Sequence, residues 1–131
     1  IEGRVEVADI PAMWDEKMMA GLNLDTRGNY KDGCLQDVHW SAQLFGYFPT
    51  YTLGAMMAAQ FFQAMSNSLP DLTEEIRQGQ LKNAVDWLRK NVHGKGSLLT
   101  TDELMESATG EVLNAHYFLD HLKSRYIENG T

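Results

Sequence analysis

Apolar residues recur at helical spacing along most of this chain. Met13, Trp14, Met18 and Leu22 follow Asp9, which can cap a helix, and Pro11, whose missing N–H costs nothing in a first turn; they predict a helix to about Gly21. Ahead of it, Arg4–Val7 reads as a short strand. Residues 23–33, NLDTRGNYKDG, are polar and rich in turn formers, which predicts an exposed loop. Residues 36–48, QDVHWSAQLFGYF, predict a short helix to about Leu44 interrupted by Gly46, and Pro49 then starts a longer helix to about Ser68. That longer helix is apolar nearly all round. Tyr51, Leu53, Met56, Met57, Ala58, Ala59, Phe61, Phe62 and Met65 leave Gln60 and Gln63 as its polar interruptions, a pattern that suits a helix buried in a larger body.

The remainder is amphipathic. Leu72 to Gln78, with Glu74 and Glu75 early, and Leu81 to Val92, with Ala84, Val85, Leu88 and Val92 on one stripe, predict a helix pair broken near Gly79. The segment HGKGS is the next turn. Thr100 and Glu103 form a capping-box pattern ahead of Leu104, Met105 and Ala108, with Gly110 as the stop. Asn114 can cap a last helix in which Tyr117, Phe118, Leu122 and Tyr126 share a face. No internal repeat, heptad run or biased tract is visible. The predicted class is all-α: six or so helices in a single domain or fragment over residues 1–131, with at most a vestige of strand.

Composition narrows what such a chain can do. A length of 131 residues, 44% of them hydrophobic and 22% charged, suffices for one domain and hardly for two. A net charge of -7 argues against nucleic acid and anionic membranes, which repel an acidic surface. A single cysteine, Cys34, cannot form an internal disulfide, and no secretion signal or membrane-length apolar run is seen. The expectation is a soluble, cytoplasmic protein. The chain opens at Ile1 rather than Met, which reads as a fragment; Ile1-Glu2-Gly3-Arg4 also spells a cleavage site used in expression vectors.

Candidate chemistry gathers between Gly33 and Gly54. Four histidines and many carboxylates invite a metal, but there is no H-E-x-x-H and no C-x-x-C, and His116 and His121 are five apart, on different sides of one helix. In Gln36-Asp37-Val38-His39-Trp40, helical spacing puts Gln36 on the face of His39 and turns Asp37 away from it. One reading is structural, with Asp37 pairing locally and His39 half-buried under Trp40. The other places a histidine and a nearby tyrosine on a cleft, where both can donate hydrogen bonds to charge developing during acyl transfer. Tyr47 and Tyr51, flanked by Gly46 and Gly54, are likewise either core aromatics beside close helix crossings or phenols presented to a substrate. The seven methionines suit gap-filling core positions, and Cys34 has no evident role.

Gly33-Cys34-Leu35-Gln36-Asp37-Val38-His39-Trp40 is similar to the G-x-x-Q-D-x-H-W signature of the thermostable metallocarboxypeptidases, the carboxypeptidase Taq family. FGYFPTYTLG and AAQFF resemble the continuation in that family, SATGEVLNAHYFLDHLKSRY resembles its C-terminal end, and IEGRVEVADIPAMWDEKM resembles the sequence upstream of the signature, which favours native sequence at Ile1 over a vector scar. The resemblance implies an all-helical, zincin-like fold of which this chain is the C-terminal part. It also implies zinc, or another divalent metal, held upstream by an H-E-x-x-H and a further carboxylate that do not occur here. The implied reaction is release of single residues from peptides with a free C-terminus: the metal activates a water and polarises the carbonyl while a carboxylate takes the water's proton.

This segment would then be one wall of the cleft, with His39 and Tyr47, and Tyr51 as the alternative, donating to the tetrahedral intermediate. Gln36 and Asp37 would orient His39, and Trp40 and Gly46 would shape the wall. The implied partners are the remainder of the same polypeptide and a second copy in a homodimer, and the piece alone is expected to be inactive. Two rival readings are a free-standing helical binding module without catalytic activity and, more weakly, an independent hydrolase using His39 and Asp37.

Overall fold

The computed structural model describes residues 3–128, which fall into two units that meet between Phe48 and Pro49. Ile1 and Glu2, half of the cleavage-site tetrapeptide, lie outside the described residues. All regular structure among the described residues is helical, and no helix is long and apolar enough to cross a membrane.

In the first unit a 3₁₀ turn, Val7–Asp9, runs into α1, Ile10–Leu22. The strand expected at Arg4–Val7 is absent. Glu6 is extended, but the Asp9 N–H already bonds back to its carbonyl (3.0 Å), and the described residues hold no strand for it to pair with. Because Asp9 has near-helical backbone angles, its side chain makes no capping bond, contrary to expectation. Pro11 sits in the first turn as expected, and the helix ends at Asn23, in the left-handed region that asparagine tolerates. The following loop has no regular element. It is tied to α1 by the Thr26 hydroxyl, which donates to the Asp15 carboxylate, and within itself by an Arg27–Asp25 ion pair at 2.6 Å. That pair holds the Asp25 carboxyl down at about 2, chiefly through the side-chain bond from Arg27.

The helix expected over residues 36–44 is reduced to one 3₁₀ turn, Trp40–Ala42. Local side chains account for the difference. Asp37 accepts from the His39 backbone N–H (3.0 Å), the Ser41 hydroxyl donates to the Val38 carbonyl (2.7 Å), and Gln43 turns left-handed at φ 61° and ends the turn. Such bonds offer the backbone an alternative to the helical ladder.

The second unit is organised on α2, Pro49–Ser68, with the bounds that Pro49 predicts. The other helices are α3 (Leu72–Arg77), α4 (Lys82–Asn91), α5 (Thr101–Thr109) and α6 (His116–Lys123). Helices α3, α5 and α6 pack against α2. Phe61 and Met65 of α2, Leu72 and Met105 are buried between them, while Tyr51, Leu53 and Phe62 of the same α2 remain exposed. The capping box at Thr100 and Glu103 forms as expected, Gly110 closes α5 at φ 91°, and the Asn114 side chain accepts from the His116 N–H (3.0 Å) at the start of α6. Beyond Lys123 the helix widens into a π turn, Ser124–Glu128, which changes the side-chain register; Tyr126 is consequently exposed while Tyr117, Phe118 and Leu122 are partly buried.

One polar side chain is central to this unit. Gln60, 1% exposed, donates from Nε2 to Thr109 Oγ1 (2.9 Å) and to the carbonyls of Val112 (3.1 Å) and Glu111 (3.3 Å), and its Oε1 accepts from the Asn114 N–H (2.9 Å). It therefore fastens the whole connection between α5 and α6 to α2.

Candidate functional site

The segment from Gly33 to Phe48 is a succession of turns, each held by an identifiable bond. Gly33 and Cys34 are buried, and a Cβ on Gly33 would lie 2.5 Å from the Asn29 carbonyl oxygen, so the backbone approach there leaves room for hydrogen alone. The Leu35 N–H bonds to the Tyr30 carbonyl and the Gln36 N–H to that of Gly33, both at 3.0 Å. The turn then delivers Asp37 and His39 to each other.

His39 Nδ1 lies 2.6 Å from Asp37 Oδ1, the oxygen that also accepts the His39 backbone N–H. Both side chains are largely withdrawn from solvent, 15% exposed for His39 and 11% for Asp37. Helical spacing turned Asp37 away from His39 and paired Gln36 with it; the turn reverses both, and Gln36 is exposed. The His39 carbonyl accepts from Ala42 (3.0 Å) and Leu44 (2.9 Å), and Gly46, at φ 76°, folds the chain back so that Tyr47 reaches His39. The ring centroids of His39 and Tyr47 are 4.9 Å apart with planes tilted by 35°, and Phe48 meets the His39 ring edge-on at 5.8 Å.

Trp40 points elsewhere: with Ile10, Met13, Trp14 and Met18 it lines a shallow apolar cleft on α1, which anchors the turn. Asp37, His39 and Tyr47 are thus brought together. Tyr51 stands on the first turn of α2, in the second unit, and is exposed.

Two features outside this turn escaped the sequence reading. An open groove of about 1180 Å³ runs between α2 and α6, bordered by Ala55, Ala59, Phe62 and both His116 and His121, so these histidines share one groove despite their five-residue spacing. Beside it, Glu111 accepts from the Tyr117 hydroxyl and from Asn114 Nδ2 (3.1 Å). The bond from Tyr117 holds the Glu111 carboxyl below its ordinary value, and the same bond pushes the Tyr117 phenol up. Glutamate-tyrosine spacing of six carries no local signal that would have announced the pair.

No group of three or more His, Cys, Asp or Glu side chains among the described residues could hold a metal ion.

A family model described as the carboxypeptidase Taq (M32) metallopeptidase matches residues 1–126, the Ile1–Arg4 tetrapeptide included. The chain belongs to the carboxypeptidase Taq family. Similar relatives are thermostable carboxypeptidase 1 of Thermus thermophilus, 42% identical over 95% of this chain, and carboxypeptidase 1 of Bacillus subtilis, 38% identical over 93%. Among solved structures, a Trypanosoma cruzi metallocarboxypeptidase superposes over 95% of the chain with a TM-score of 0.90 at 46% identity. The Pyrococcus furiosus carboxypeptidase does so, again over 95%, with 0.88 at 34%. The chain spans about a quarter of these relatives: 24% of each of the two sequences, and 26% and 25% of the two structures.

Proposed function

We propose that this chain is the C-terminal part of a zinc-dependent carboxypeptidase and forms one wall of its active-site cleft, removing single residues from peptide C-termini together with the rest of the polypeptide. The observation that carries this reading is the pairing of Asp37 with His39 at 2.6 Å, with the Tyr47 ring 4.9 Å from that of His39, inside the segment that bears the family signature. His39 and Tyr47 are the groups that hydrogen-bond the oxygen on which charge develops as the scissile carbonyl becomes tetrahedral; Tyr51 is the alternative phenol. Asp37 orients His39, Gly46 sets the reach of Tyr47, and Trp40 seats the turn on α1.

The metal, zinc or another divalent ion, belongs to residues outside this piece, and so do the activated water and polarised carbonyl that it supplies. Exposed Tyr51, Leu53 and Phe62 on an otherwise apolar helix support burial of α2 within a larger body over the rival reading of a free-standing module. The same reading makes the complete enzyme a cytoplasmic homodimer.

Removing one such donor typically costs about 2.7–4 kcal/mol of transition-state stabilisation. In the complete, metal-loaded enzyme Tyr47→Phe and His39→Ala are each expected to lower turnover at least about tenfold with metal content unchanged. Near-normal turnover in both would sink the assignment.

A further inference from the structure

The geometry points to a specific electrostatic role for Asp37, resting on the reading of His39 just given: its carboxylate charge, and not only its position, makes His39 a donor at Nε2. A carboxylate can only accept, so the ring nitrogen 2.6 Å from Asp37 Oδ1, Nδ1, is the one that carries hydrogen. A neutral imidazole has a single N–H, which leaves Nε2 with a lone pair. In that state Nε2 can accept a hydrogen bond but cannot give one to an oxyanion. His39 donates at Nε2 only when the ring is protonated on both nitrogens, and the resulting positive charge sits largely out of solvent, on a side chain 15% exposed. Asp37, bonded to the opposite nitrogen and itself 11% exposed, balances that charge.

Tyr47 is in ring contact with His39, and its neutral phenol donates without such support. Asp37 is accordingly a positioning residue that acts through His39. The two donors differ in kind: Tyr47 works as a neutral group and His39 as one half of an ion pair.

Asp37→Asn separates charge from geometry. Asparagine keeps an Oδ1 that can accept both the His39 backbone N–H, now at 3.0 Å, and the Nδ1–H, so the turn survives and only the charge is lost. In the complete, metal-loaded enzyme, kcat of Asp37→Asn is expected to fall at least about tenfold, with KM within about threefold of the parent, and combining it with His39→Ala is expected to cost little beyond His39→Ala alone. Turnover of Asp37→Asn within about twofold of the parent, while His39→Ala is impaired, would overturn the inference and leave the donor assignment standing.

If His39→Ala and Tyr47→Phe both retain turnover, the donor assignment itself falls and takes this inference with it. Nitrogen-15 spectra of the histidine-labelled parent enzyme, with His39→Ala to assign the signal, test the state of the ring without altering the pair. Hydrogen on both ring nitrogens is expected, and a ring carrying hydrogen on one nitrogen alone would overturn the inference.

Discussion

Replacing Gln60 by leucine tests whether one buried amide fastens the α5–α6 connection to α2. Leucine matches the bulk of glutamine without its polar atoms. It leaves the Asn114 N–H and the Val112 carbonyl without the bonds they now make at 2.9 and 3.1 Å, whereas the Glu111 carbonyl still faces the Thr109 hydroxyl at 3.1 Å, a donor it shares with the Met105 carbonyl at 2.8 Å. An orphaned buried polar group costs about 1–3 kcal/mol, so loss of the Asn114 bond costs about that much unless the connection opens to water, and the carbonyl of exposed Val112 adds less. Local opening is what such a penalty favours, and about 2 kcal/mol corresponds to roughly thirtyfold faster amide exchange. Hydrogen exchange over residues 105–116 of the complete protein reads this directly. Gln63→Leu is the control: Gln63 lies on the same helix, exposed, with its amide bonded to Asn67, and its replacement is expected to stay within about 0.5 kcal/mol of the parent. Exchange at Asn114 within about threefold of the parent in Gln60→Leu would refute the reasoning, because the bonds would then carry no net stability.

Two further outcomes are expected. Gly33→Ala forces a Cβ to within 2.5 Å of the Asn29 carbonyl, so the turn must shift; the melting temperature is expected to fall and turnover with it, and an unchanged melting temperature would show that the approach is not confining. The Glu111–Tyr117 bond sets a pH window. Because the Glu111 carboxyl is held below its ordinary 4.5, the stability it contributes is complete above that value and is lost as the pH falls through the lower folded value. Because the Tyr117 phenol is raised above 10.0, its contribution is complete below 10.0 and is lost in stronger alkali. Tyr117→Phe should therefore destabilise more in urea unfolding at neutral pH than at a pH acidic enough to protonate Glu111 in the folded state, and an equal effect at both would contradict the assignment.

Helix ends written in short-range signals were legible: Pro49 starts α2, Thr100 with Glu103 starts α5, and Gly110 ends it. The segment after Gln36 was not, because its apolar spacing resembles a helix while Asp37 and Ser41 spend their side chains on nearby backbone groups. That same competition brings Asp37 and His39 together. A helix would have separated Asp37 from His39, and the turn joins them, so helical spacing alone could not show a pairing that the family resemblance implied. Candidate residues His39 and Tyr47 were singled out by a polar cluster beside apolar sequence, by tyrosines flanked by Gly46 and Gly54, and by the resemblance to the family signature. Gln60 was noticed only as an interruption of an apolar helix; its partners lie 49 to 54 residues away, beyond the range of any periodicity. A lone amide in an otherwise apolar helix was the signal, and its meaning lay in the tertiary structure.

The measurement that bears most directly on the central claim is a structure of the complete, metal-loaded enzyme bound to a peptide analogue with a tetrahedral phosphonate in place of the scissile carbonyl. The His39 ring Nε2 and the Tyr47 hydroxyl are expected within about 2.7–3.1 Å of one phosphonate oxygen, with Asp37 still bonded to Nδ1. A phosphonate seated with both side chains out of hydrogen-bond reach would contradict it, and would return the Asp37–His39 pair to a purely structural role.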